Sequence, residues 1–383
     1  DTDCMYVFIF WFPSCKISLW LCPSYRLKGC YMKFISCASY YGTGSSAVTD
    51  LLSEYEGVYS FTDEEIRFLH DPDGVDDLYY HIVENPNRHN SGHAIKRFKR
   101  LVDFYSGSWW YGKKYSKLFG DNWKRASYEY IDSLVDFSYK GGWFYDLYDK
   151  GMPYYFFKRA PQRVFSSLPL IKKIAPTHPY KGEITYCTTC NEDEFVSKTK
   201  SYIETLFSQV IPKEYDTVMV DQLLPSSNIQ RYTRYFDDVK VVVVERDPRD
   251  VWMCERYVWK EGVIPSDSVE DYCRWFEYSR MKRNDEDVDN GVTTMLIHFE
   301  DLVFDYYNTV SKLEKWLGLG PHSHRNEMKY FDPSRSINNT RIWKRYPEER
   351  ENVEYIEKRL SKYIYSFPEK NPDYIHITDD RLF

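Results

Sequence analysis

The sequence predicts an α/β protein, a three-layer α/β/α arrangement with a central parallel sheet and a helical insert, and three observations predict it. Short apolar runs alternate with amphipathic segments, the pattern of strands joined through helices. The run Val239-Lys240-Val241-Val242-Val243-Val244 is rich in β-branched residues, as strands buried on both faces of a parallel sheet are. Residues 39–46, which include Gly42 and Gly44, follow another apolar run and open an amphipathic segment, giving the order strand, loop, helix.

Met32-Lys33-Phe34-Ile35-Ser36-Cys37-Ala38 supplies a first core strand at 33–38, followed by a loop at 39–46 and a helix at 46–55. A long aromatic and charged region then shows helical periodicity in pieces, and about 65–210 is expected to be the helical insert. Asp216 to Val220 predicts a short buried strand ending at Asp221-Gln222, with a turn at Pro225 and a helical piece through Tyr235. After the strand at 239–244 come helices at 249–259 and 267–282, a strand at 292–298, a helix at 305–317 stopped by Gly318, and a final helix at 348–364 after Pro347. In such a doubly wound sheet, ligand lies at the carboxyl ends of the strands.

A chain of 383 residues can bury a large core, and a single domain is expected over 32–383. The net charge of −7 argues against a protein that coats nucleic acid. Aromatic residues make up 18% of the chain, and Trp109-Trp110-Tyr111 and Trp143-Phe144-Tyr145 suit either a saccharide or aromatic acceptor surface or ordinary packing. Of nine cysteines, four fall in the first thirty residues, and the rest form no disulfide framework. Cys187 and Cys190 make a single Cys-x-x-Cys that His178 does not complete into a zinc site, so no metal is expected and reduced thiols in the cytoplasm fit best. Residues 1–31 are expected to lie outside the fold, as translated upstream sequence or as a signal or anchor. The apolar run at 4–22 is interrupted by Pro13 and Lys16, so membrane association is expected only if that run acts as an anchor.

Two segments carry candidate chemistry. Gly42 and Gly44 permit positive φ, while Ser45 and Ser46 stand where a helix N-terminus offers free N–H groups to an anion. Alone, the loop fits both a phosphate cradle and a turn capping an ordinary helix. The strand ending at Val244 runs into Glu245-Arg246-Asp247-Pro248-Arg249-Asp250, where Pro248 sets the first helical turn. Arg246 and Arg249 fit two arrangements, a guanidinium fork on a phosphate or an Arg–Asp network capping the helix.

With these residues in place, the chain resembles the sulfotransferases that use 3′-phosphoadenosine 5′-phosphosulfate (PAPS), of bacterial type and P-loop-like fold. Gly42-Thr43-Gly44-Ser45-Ser46 is similar to the family's 5′-phosphosulfate loop, and Val243 to Val251 to its 3′-phosphate strand, loop and helix. His298-Phe299-Glu300-Asp301-Leu302, with Leu313 and Trp316-Leu317-Gly318-Leu319, resembles a third stretch. Arg335-Ser336-Ile337-Asn338-Asn339-Thr340-Arg341-Ile342-Trp343 resembles the late loop that closes over the cofactor. The resemblance implies transfer of a sulfuryl group from PAPS to a hydroxyl or amine of a small-molecule or saccharide acceptor held by the insert, leaving adenosine 3′,5′-bisphosphate (PAP). It assigns Gly42, Thr43, Gly44, Ser45 and Ser46 to the 5′-phosphosulfate, and Arg246 with Arg335 to the 3′-phosphate.

Three positions depart from that pattern. Gly42 stands where many relatives have a lysine, Cys254 where a serine contacts the 3′-phosphate, and Ala47 where a tryptophan stacks on adenine. Cys254 is a weaker donor than serine. The family's general base falls at the end of the strand before the 3′-phosphate strand, which makes Asp221 the candidate, while a carboxylate capping the turn at that place also fits. His178, in Pro176-Thr177-His178-Pro179, is the rival base, and His298, Glu300 and Asp301 are expected to be structural. Two other functions remain compatible with the residues: a catalytically inactive nucleotide-binding protein, and a P-loop kinase-like enzyme, which would want a lysine in the loop and a magnesium-binding carboxylate.

Overall fold

The computed structural model describes residues 32–62, 64–107, 114–169, 182–281 and 288–377. Five parallel strands make the central sheet: β1 (Lys33–Ser39), β2 (Val58–Phe61), and three that follow the insert, β5 (Thr217–Asp221), β6 (Val239–Glu245) and β7 (Thr294–His298). Their order across the sheet is β2-β5-β1-β6-β7. Alternation of side chains assigns the two faces of the sheet to different partners. From one face, Phe34, Ala38, Val220 and Val243 join a core with insert residues such as Ile95, Trp123 and Phe207. From the other, Ile35, Cys37, Met219 and Val244 pack with Leu51, Leu302 and Val310. The α/β/α layering is therefore as expected, and the insert supplies one of the outer layers rather than standing beside the domain.

Helix α1 (Ser45–Leu52) follows the first loop. In the insert, α2 (Asn90–Tyr105), α3 (Asn122–Leu134) and α4 (Glu192–Ser208) are the long helices. The insert is not wholly helical: β3 (Phe137–Gly141) and β4 (Glu183–Cys187) pair antiparallel as a separate two-stranded sheet. After β6, Pro248 opens α5 (Pro248–Met253), which continues as a π-helical turn, Cys254–Trp259, so the helix expected at 249–259 is a single run of two pitches. Further helices are α6 (Val269–Ser279), α7 (Phe299–Phe304), α8 (Tyr306–Leu317) and α9 (Arg350–Arg359); α7 lies where no helix is expected, and the other three match the remaining helical expectations, with α9 shorter than 348–364 because 3₁₀ turns flank it. Gly318 ends α8 at φ +75°, the left-handed C-cap that glycine favours. Among the described residues, no helix is long and apolar enough to cross a membrane.

Candidate active site

The loop after β1 is fastened to the neighbouring strand by its own threonine. Thr43 Oγ1 donates to the Val244 carbonyl at 2.7 Å and accepts from the Tyr40 amide at 3.2 Å. Tyr41, Gly42 and Gly44 all have positive φ, at 64°, 68° and 95°. Glycine is required at 42 and 44 for a second reason. A Cβ at Gly42 would lie 2.7 Å from the Trp259 ring, and one at Gly44 would lie 2.9 Å from the Phe299 ring. Aromatic side chains thus pack where a Cβ would stand at either glycine. The anion-facing side is the helix start: Gly44 is the N-cap of α1 and offers no side chain to its first amides.

Ser45 and Asp221 meet at this point. Ser45 Oγ donates to Asp221 Oδ2 at 3.0 Å, while Asp221 Oδ1 is buried with no hydrogen-bond partner among the described residues. Burial, reinforced by the nearby Glu65 charge, pushes the Asp221 carboxyl up to about 7. Glu65 is itself held by Arg67 at 3.0 Å. Asp221 ends β5 at the carboxyl edge of the sheet, beside the loop that ends β1.

Arg246 is buried where β6 passes into α5. It donates to the carbonyls of Gly42 at 3.1 Å and Asn339 at 2.6 Å, and to Cys254 Sγ at 3.2 Å. Its guanidinium also lies 4.9 Å from the centre of the Phe299 ring. One side chain therefore ties the first loop to the late loop. Cys254 backs Arg246, and burial pushes its thiol up to about 11, so it serves as a weak acceptor behind the arginine.

Arg249 takes the other arrangement the sequence allowed. It pairs with Asp247 at 2.7 Å and Glu357 at 2.6 Å and stacks on Trp343, with its guanidinium 3.8 Å from the ring centre. A fork of Arg246 and Arg249 on one phosphate is not what the fold builds, because Asp247, two residues before Arg249, captures its guanidinium. Glu300 accepts from the Asp247 amide at 2.8 Å, and Asp301 from the Tyr365 hydroxyl at 2.7 Å, the loop-orienting parts expected of them. His298 ends β7 as the N-cap of α7, in van der Waals range of Tyr365.

The late loop is fastened from two directions. Asp250, in α5, accepts from the amides of Arg341 at 2.9 Å and Ile342 at 2.6 Å. Glu54, just beyond α1, accepts from His324 at 2.7 Å and from the amides of Met328, Tyr330 and Phe331 at 3.1, 2.8 and 2.9 Å. Between them a cleft of about 640 Å³ opens at the carboxyl edge of the sheet. Gly42, Gly44, Ser45, Ser46, Asp221 and Arg246 all line it, and exposed Arg335 joins them from the late loop. Thr43 and Cys254 stand behind the lining as braces.

Sequence reasoning missed Glu65, Trp259, Tyr330 and Phe331, which also line the cleft. None belongs to a spaced motif, and only the fold brings them to the loop. His178 lies outside the described residues, as do Trp109, Trp110 and Tyr111. Trp143 and Tyr145 line a different hollow, with Arg88 and Lys96, rather than this cleft.

Fold and site together define an α/β protein whose ligand cleft lies where the first loop, the first helix and the strand ends of a parallel sheet converge. No protein-family model and no curated protein matches the sequence. Among solved structures, the chain is similar to retinol dehydratase in complex with androsterone and inactive cofactor PAP, at 11% identity and TM-score 0.33 over 88% of this chain and 83% of that one. It is also similar to sulfotransferase STF9 from Mycobacterium avium, at 11% identity and TM-score 0.33 over 88% of this chain and 76% of that one. At this identity and TM-score, the chemistry of the cleft has to be read from the chain's own residues.

Proposed function

We propose that the protein is a PAPS-dependent sulfotransferase, acting on a hydroxyl or amine of a small-molecule or saccharide acceptor. The supporting observation is the meeting of the Gly42–Ser46 loop, Asp221, Arg246 and Arg335 in one cleft, although they are spread over nearly three hundred positions of the chain. The residues fit such a nucleotide. The α1 N-terminus offers amides without a side-chain cap, the aromatic wall of Trp259, Tyr330 and Phe331 suits a purine, and the bare Asp221 Oδ1 awaits a donor. When bound, PAPS supplies a sulfuryl group on a phosphate leaving group, and transfer calls for in-line alignment and charge stabilisation.

In this reading the loop amides and the Ser46 hydroxyl hold the 5′ end, the Ser45 hydroxyl proton being engaged by Asp221. Arg246 and Arg335 supply positive charge for the 3′-phosphate, with Arg246 also fixing the distance between the two loops. Asp221 accepts the acceptor's proton, helped by a pKa near 7 that makes its carboxylate basic enough to do so. The Ser45 hydroxyl donates to Asp221 and so fixes its orientation. The cytoplasm, with its reduced thiols, is part of the same reading.

Thermal shift measurements test it. PAP should stabilise the protein, and ATP with magnesium should not; the reverse preference would overturn the proposal in favour of a kinase-like enzyme. If PAP binds but no sulfate moves from PAPS to any of a broad set of hydroxyl and amine acceptors, the inactive nucleotide-binding reading replaces it.

A further inference from the structure

The segment after β3 is built inside out. Its first helix, Tyr145–Tyr154, turns at Gly151 and continues through a π-helical turn, Tyr155–Arg159, into Ala160–Ser167. The charged side of the first helix faces the protein. Asp146 is bonded to Lys96 at 3.2 Å, and Asp149 to His93 and Arg100, each at 2.9 Å, so both carboxylates are tied to α2. The apolar side faces outward: Phe144, Tyr148 and Met152 are exposed, followed by Phe156, Phe157 and Phe165. Tyr148 is 77% exposed and Phe157 84%, and no residue of Tyr145–Tyr154 is buried. A helix docked for water does the reverse. Phe144 and Tyr148 are about one turn apart before the Gly151 kink, and Met152 and Phe156 about one turn apart after it, so the exposed apolar side chains form two short patches, one on each side of the kink.

Charge identifies what covers these patches. From Phe144 to Leu168 the chain carries four basic residues, of which Lys150 is bonded to Asp146 at 3.0 Å, and two acidic ones, Asp146 and Asp149, both tied to α2, in a protein whose net charge is −7. Aromatic and aliphatic side chains beside basic ones are the composition of a helix lying in the headgroup region of an anionic bilayer. The geometry points to peripheral attachment of the protein to an anionic lipid surface through the outward face of residues 144–168. Attachment in the plane of the interface needs no spanning helix, and it is independent of the chemistry in the cleft.

Co-sedimentation of the full chain with phosphatidylcholine vesicles, with and without phosphatidylserine, tests this. The comparison variant is Phe156→Ser/Phe157→Ser/Phe165→Ser, three exposed positions whose replacement leaves the core intact; an unchanged unfolding temperature verifies that it folds. Residues 4–22 are common to both proteins, so any binding they contribute cancels. The wild type should bind phosphatidylserine vesicles about tenfold or more tightly than the variant. Lys158→Glu/Arg163→Glu should abolish the preference for phosphatidylserine, and added salt should weaken it. Equal binding by wild type and the serine variant, or no binding by the wild type, would overturn the proposal. So would an oligomer that the serine substitutions split into monomers with vesicle binding unchanged, which would make the patches a contact between copies of this chain.

Discussion

Ser45 and Asp221 are 176 positions apart, yet the Ser45 hydroxyl donates to the Asp221 carboxylate at 3.0 Å across the carboxyl edge of the sheet. The contact exists because β1 and β5 are parallel neighbours, with Cys37 opposite Asp221, so the end of β5 lies beside the loop that leaves β1. It leaves the second carboxylate oxygen of Asp221 bare in a cleft wall, an arrangement that costs free energy unless a ligand uses it.

The first consequence is kinetic. With the Asp221 carboxyl pushed up to about 7, transfer that uses it as base should show kcat/KM rising with pH and levelling above an apparent pKa near 7. Asp221→Asn should cut kcat by about 100-fold or more while leaving the PAP-induced thermal shift in place. A variant that keeps wild-type turnover would remove Asp221 from the role of base.

A second consequence concerns stability. The folded carboxyl holds its proton more tightly than in the unfolded chain, where the pKa is about 3.9. Its contribution to stability is therefore fully present below about pH 4 and is lost as pH rises through about 7. Asp221→Asn should remove this slope, so the variant should gain stability relative to wild type between pH 4 and pH 8, by something on the order of a few kcal/mol. Urea unfolding of both proteins across that range measures it; parallel pH dependences would mean that the carboxyl titrates normally.

Arg246 and Arg249 stand three residues apart and predict different outcomes. Arg246→Ala should abolish the PAP-induced thermal shift and also cost about 3 kcal/mol, because the Gly42 and Asn339 carbonyls lose their buried donor. Arg246→Lys keeps the charge and guards against misfolding: it should fold and bind PAP weakly. Arg249→Ala should cost comparable stability through Asp247 and Glu357 but preserve the shift. Loss of PAP binding in the Arg249 variant alone would reverse the two roles.

Glu54 makes a prediction about the cleft from outside it. Its buried carboxylate accepts from three backbone amides, of Met328, Tyr330 and Phe331, and from His324, and so holds the aromatic wall in position. Glu54→Ala strands those amides and should cost about 3 kcal/mol or more, and Glu54→Gln less. Both should weaken PAP binding in the same order, as measured by calorimetry. Binding that stays at the wild-type level in the glutamine variant would show that Tyr330 and Phe331 are not used.

The parts of this fold that were legible in the sequence are those in which one residue type has one structural use. Val241 to Val244 are fully buried in β6, as a run of β-branched residues requires, and Pro248 and Gly318 mark helix ends. Strand β2, four residues long, and the β3–β4 pair were not legible. Phe137 to Lys140 are all exposed, and their partners lie more than forty positions away, so no local apolar pattern marks them. The same limit applies within the site. Arg246 and Arg249 look equivalent in sequence, and only the direction in which each leaves the chain, into the loop carbonyls or onto Asp247, separates them. Tyr330 reaches the cleft through a loop held by Glu54, and Glu65 through one pinned where the Ile66 amide donates to the Asp221 carbonyl, both partners distant in sequence.

Gly44 and Gly57 allow the demands on the first loop to be separated. Both have positive φ, at 95° and 88°, so alanine at either carries backbone strain of about 1 kcal/mol or more. At Gly57 a Cβ would meet nothing within 4 Å, whereas at Gly44 it would fall 2.9 Å from the Phe299 ring. Phe299 is buried against the core and beneath the Arg246 guanidinium, so the ring has little room to retreat. Gly57→Ala should therefore lower the unfolding temperature modestly and leave PAP binding intact. Gly44→Ala should cost about 2 kcal/mol more and weaken PAP binding, since relieving the clash moves the start of α1 away from Arg246. Equal losses at the two positions would mean that backbone conformation alone, and not the packing of Phe299 under the loop, makes glycine necessary at position 44.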